Sequence, residues 1–127
     1  MIQNILTYTL SLSFLTIGTL HFTHTDFFMQ IMPPYIPYHK FCVLFSGLAE
    51  LSIGVAVAIV SLRRYAGWAI LLLLLAVFPA NIHMAVNNVQ IAGLPEMPLW
   101  ALWARLPLQF VFAYWAWYVC IRKPSTA

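Results

Sequence analysis

Ser46-Gly47-Leu48-Ala49-Glu50-Leu51-Ser52-Ile53-Gly54 sets one carboxylate in the middle of a long apolar run. The flanking residues 41–48 and 51–60 are nearly all apolar or small. Such a run reads as a membrane-spanning helix with Glu50 near its centre. An ionisable side chain there costs roughly 2.5–3.5 kcal/mol on insertion scales, so it must face protein or water and find a partner. The fold follows from asking which residues surround it.

Composition supports the membrane assignment. The chain has 127 residues, of which 63% are hydrophobic and 7% charged. Soluble domains carry about 25% charged residues. The net charge of +3 comes from few, scattered side chains, which excludes a nucleic-acid surface. The start, Met1-Ile2-Gln3-Asn4, lacks a basic region, and no small-residue cleavage site follows the first apolar run. It is therefore expected to be a retained helix rather than a signal peptide. Cys42 and Cys120 form no Cys-x-x-Cys pair, which argues against thiol–disulfide chemistry.

Four apolar segments emerge, at about 5–22, 39–61, 65–86 and 99–121, each near the ~20 residues that cross a bilayer core. The expected fold is thus all-α: a polytopic four-transmembrane-helix bundle, one domain over residues 1–127. Between the first two segments, 23–38 carries Pro33, Pro34 and Pro37 among Phe27, Phe28, Tyr35 and Tyr38. Prolines at that density exclude a regular helix, and the aromatics suit a membrane interface. This Pro-rich outer loop is expected to fold back over the helix ends. Leu62-Arg63-Arg64 reads as a tight basic turn. Residues 87–98 read as a polar connection broken by Gly93, Pro95 and Pro98, and 122–127 as a short tail.

Four crossings put both termini and the 62–64 turn on one side, with Arg63, Arg64, Arg122 and Lys123. The other side holds Lys40, Asp26 and Glu96. The positive-inside rule then places both termini in the cytoplasm of a cell (inner) membrane protein.

Helical rise converts residue number into height. Counting from Arg63, Arg64 and Arg122, Glu50 and Gln109 lie ~20 Å up, Asn81 and Arg105 ~25 Å and His83 ~28 Å. His21 closes the first span at its outer end. The polar groups of all four helices therefore fall in the outer half, above an apolar inner half. Arg105 and Gln109 share a face, and Gly47, Glu50 and Gly54 share a stripe where small residues permit close helix approach. Asn81 and His83 point in roughly opposite directions, so one of the two is expected to face Glu50. Pro79 frees the carbonyl of Leu75 and should bend the third span. The simplest partner for Glu50 is Arg105, a buried pair completed by hydrogen bonds from Gln109, Asn81 and the imidazoles. Such a cluster is equally a structural lock between helices or a pocket that touches a ligand.

Five motifs stand in order: Gly18-x-x-His21-Phe22, Met32-Pro33-Pro34-Tyr35-Ile36-Pro37, Ser46-Gly47-x-x-Glu50, Phe78-Pro79-Ala80-Asn81-Ile82-x-Met84-Ala85 and Arg105-Leu106-Pro107-Leu108-Gln109. Together they resemble the DoxX family of small four-helix bacterial membrane proteins over nearly the whole chain. The resemblance implies a redox or quinone context, or a role in assembly, without fixing an activity.

The chemistry can be narrowed further. His21, Glu50 and His83 are the candidate metal ligands, but no His-x-x-x-His or Glu-x-x-His spacing occurs and Arg105 would oppose a cation, so no metal is expected. A haem would need His21 and His83 to face each other between short helices with little room. His24 and His39 fall in or beside the loop. A quinone or similar amphipathic ligand fits better: an apolar slot with His21, Asn81, Arg105 and Gln109 as donors. Trp100, Trp103, Tyr35 and Tyr38 are expected in an outer interfacial belt, and Tyr65, Trp68, Trp117 and Tyr118 in an inner one. Cys42 and Cys120 should be ~30 Å apart in height, which excludes a disulfide. The expected role is an accessory or ligand-binding component of a membrane redox complex. The alternative is a non-enzymatic assembly or chaperone-type protein that binds a partner through its helices. No nucleophile or cofactor motif identifies a catalyst. The expected partners are the lipid bilayer, a membrane redox protein or a second copy of the chain.

Overall fold

A computed structural model describes residues 1–90 and 95–122. Gly93 of the 87–98 connection and the tail from Lys123 onward lie outside the described residues. The described chain is helical, with no strand. Its elements are α1 (Ile2–Thr23), α2 (Thr25–Met29), α3 (His39–Ala58), α4 (Arg63–Val86) and α5 (Leu99–Ala116), and α5 continues into wider π-type turns over Trp117–Arg122. Three helical stretches are long and apolar enough to cross a membrane: Ile2–Thr23, His39–Ala58 and Val60–Val86. α5 stands outside that set; it carries Arg105, Pro107 and Gln109 in eighteen residues. Helix limits fall within a few residues of the sequence expectation at every long segment.

The helices pack as two pairs. α1 lies along α3, α4 lies along α5, and α3 meets α4 across the 3-10 turn Val60–Leu62. Glycines set the first spacing. A Cβ on Gly47 would stand 2.6 Å from the Cβ of His21, and one on Gly54 would stand 2.8 Å from Leu15. The hydroxyl of Ser11 donates to the Gly54 carbonyl at 2.6 Å across the same seam. The second pair closes on Gly67, where a Cβ would meet Cys120 at 2.7 Å. Small residues let backbones approach where lipid supplies no hydrophobic drive between helices.

The main core sits at the end that holds the chain termini. Leu10, Phe14, Ile53, Val57, Ile70 and Val119 belong to it. Two polar ties join the helix pairs at this end. The indole of Trp115 donates to the Leu6 carbonyl at 3.1 Å. Arg63 donates through Nε to the Val57 carbonyl at 2.7 Å and through a terminal nitrogen to Ala58 at 3.4 Å. Within the turn expected at 62–64, Arg63 is fully buried, opens α4 and caps the last carbonyls of α3. A cation there also complements the negative end of the α3 dipole. The expectation of a wholly apolar half at this end is corrected, since Thr7 and Ser11 are buried beside Arg63.

At the opposite, loop end, residues 23–38 fold back over the helices. The expectation of a helix-free segment is corrected by α2, which fits in before the first proline, Pro33. Pro33 is buried, and its carbonyl faces His39 Nε2 at 3.1 Å. The segment enters α3 through Tyr38, a non-glycine residue at φ 56°. Tyr35, Tyr38, Trp100 and Trp103 are exposed at this end, as are Tyr65 and Trp68 at the other. Both cysteines are free thiols.

Candidate functional site

Between the two helix pairs, at the loop end, lies a cavity of about 200 Å³. One wall is the α1–α3 pair, with His21, Ser46 and Glu50; the other is the α4–α5 pair, with Asn81 and Arg105. Phe28, Ile31 and Met32 cover it from the folded-back segment. The ring of Phe28 stacks on His21 with centroids 3.9 Å apart and planes 13° from parallel.

The local sequence explains this placement. Gly18 and Gly47 bring α1 and α3 together one turn below His21, so the imidazole meets the residue three positions after Gly47, which is Glu50. His21 Nδ1 lies 3.1 Å from Glu50 Oε2 and 2.8 Å from the Ile17 carbonyl. A carbonyl can only accept, so Nδ1 carries the hydrogen and directs it along the helix to Ile17. The close contact with Oε2 is therefore not a directed hydrogen bond, and that buried oxygen has none. The other carboxyl oxygen, Oε1, is the one left to the cavity.

Arg105 does not close an ion pair with Glu50. The expectation of a direct pair is corrected: the two groups belong to different helix pairs and face each other across the slot. The close glycine seam turns Glu50 toward α1 instead. Asn81 and Gln109 do come together. Asn81 Nδ2 donates to Gln109 Oε1 at 2.5 Å, and Gln109 Nε2 donates to the Leu74 carbonyl. That carbonyl is one residue from the Leu75 carbonyl that Pro79 deprives of its helical donor. Gln109 is buried and braces the α4–α5 pair rather than lining the cavity wall at Glu50. His83 stands apart: its Nδ1 lies 3.0 Å from Asn87 Nδ2 at the end of α4, and it does not line the cavity.

Asn81 and Arg105 also line a second cavity of about 230 Å³ between α4 and α5, with Gln109, Leu74, Val77, Leu108 and Phe112. Each cavity alone is small for a ligand. Asn81 and Arg105 belong to the linings of both, so the polar slot at the loop end borders a more apolar hollow on the α4–α5 pair. Among the described residues no three of His, Cys, Asp and Glu gather at metal-binding distance.

Ser46 and Met32 stand in the ordered motifs and Phe28 among the loop aromatics, but the sequence pattern marks none of the three as a site residue. Ser46 is four residues before Glu50, a one-turn spacing that could have found it. The covering residues depend on how a proline-rich segment folds back, for which periodicity holds no signal.

No curated protein and no solved structure matches the chain. A family profile matches residues 10–120, and the chain accordingly belongs to the family described as a domain of unknown function, DUF8561.

Proposed function

We propose that this is a DoxX-like membrane protein whose four long helices all cross the bilayer, with both termini cytoplasmic, and that its slot binds a quinone-like amphipathic ligand as an accessory part of a membrane redox complex. One observation carries the proposal: polar side chains of both helix pairs converge on one cavity, and two of them, Asn81 and Arg105, also line a largely apolar hollow beside it. A ring with oxygen substituents matches the polar part, and its apolar substituents match Leu74, Val77, Leu108 and Phe112. The stacked Phe28–His21 pair offers a flat face to such a ring.

Native mass spectrometry of the protein released from mild detergent tests this directly. A bound quinone-like mass is expected, lost in Arg105→Ala while the far-ultraviolet circular dichroism is retained. A co-purifying protein with no small molecule would favour the assembly role instead. Reporter fusions at residues 1 and 127 should both score cytoplasmic; opposite sides would remove the fourth crossing.

A further inference from the structure

The polar groups that line the slot can be assigned as donors or acceptors. Arg105 only donates. His21 gives its Nδ1 hydrogen to Ile17, so its other ring nitrogen accepts. Asn81 has given one amide hydrogen to Gln109 and keeps the other and its carbonyl. Ser46 can do either. Glu50 accepts no directed hydrogen bond from the described residues, and its Oε2 is closed off by His21 while Oε1 is left to the slot. A buried polar group left without a partner costs its full desolvation penalty. An oxidised quinone carries carbonyl acceptors alone. It satisfies Arg105 and leaves Glu50 as it was. A hydroquinone carries hydroxyls, which both donate and accept.

From this, and resting on the quinone-like reading above, we propose that the site selects the reduced ring. One hydroxyl donates to the Glu50 carboxyl on the α1–α3 wall. The opposite oxygen accepts from Arg105 on the α4–α5 wall. Glu50 is then a specificity-determining residue for oxidation state, and the ligand supplies the polar bridge between helix pairs that Glu50 and Arg105 do not make directly.

Equilibrium dialysis of the full-length protein in detergent, under anaerobic conditions, tests this with three probes: trimethylhydroquinone, its quinone and its dimethyl ether. The hydroquinone is expected to bind at least ~10-fold more tightly than the quinone, and the ether, which has the shape without the donors, no better than the quinone. In Glu50→Gln the amide adds a donor, so the preference for the reduced ring should collapse toward parity. Equal binding of quinone and hydroquinone, or a preference for the quinone, overturns the selection while leaving ring binding intact. If none of the three binds, the quinone-like reading itself fails. Because the ether comparison uses the unaltered protein, the outcome does not depend on whether Glu50→Gln folds.

Discussion

The two ends of the molecule handle buried polarity in opposite ways. At the termini end, Thr7, Ser11 and Arg63 are buried, and each donates to a backbone carbonyl: Gln3, Gly54, and Val57 with Ala58. At the loop end, Glu50 lines the cavity with His21 and Phe28, and its buried Oε2 has no directed donor among the described residues. The first arrangement matches all three of these side chains, although the Gln3 amide nitrogen at the same end is buried without a partner among the described residues. The second is incomplete within the chain, as binding sites commonly are. Depth alone does not distinguish the two; the presence or absence of a matched partner does.

Substitutions can break or sharpen this contrast. Arg63→Ala should be the most damaging, removing the cap of α3 and leaving a void, at about 3 kcal/mol. Loss of midpoint in thermal unfolding of micelle-bound protein would measure it, and an unchanged midpoint would mean that the cap is not structural. Gly67→Val comes next, at about 2 kcal/mol, because its Cβ would meet Cys120 and Ile121 within 3 Å of backbone-proximal atoms. Gln109→Leu should cost about 1–2 kcal/mol in the same assay, since it strands the Asn81 amide and releases the Leu74 carbonyl. Glu50→Gln should have the smallest effect and the opposite sign. It replaces a carboxyl that has no directed partner among the described residues by a neutral amide of the same shape, so stability should stay within about 0.5 kcal/mol or rise. A large loss in Glu50→Gln would show that the loop end is a lock like the other end.

Much of the architecture was legible because it depends on one-dimensional properties. Apolar run length gave the long helices, and rise per residue put His21, Glu50, Asn81 and Arg105 at one level. Direction was not legible. Arg63 sits where a topological charge should sit, yet its long side chain turns inward to α3. Glu50 and Arg105 match in height, yet the glycine seam commits Glu50 to α1. His83 is as deep as Asn81 is, by count, but two residues of rotation carry it off to Asn87. α2 escaped notice because five helical residues ahead of a proline leave no periodicity to detect.

The position of the two inter-pair ties has a mechanical consequence. Trp115 and Arg63 join the pairs at the termini end, while the slot opens between them at the loop end. The bundle is therefore a pair of levers with its fulcrum far from its jaws. From Trp115 to Leu99 the last helix extends about 24 Å. A tilt of roughly 5° between the pairs at the fulcrum would move Leu99 by about 2 Å, over half the thickness of an aromatic ring. Packing at Leu6, Trp115, Arg63 and Val57, away from the slot lining, is therefore placed to influence its width.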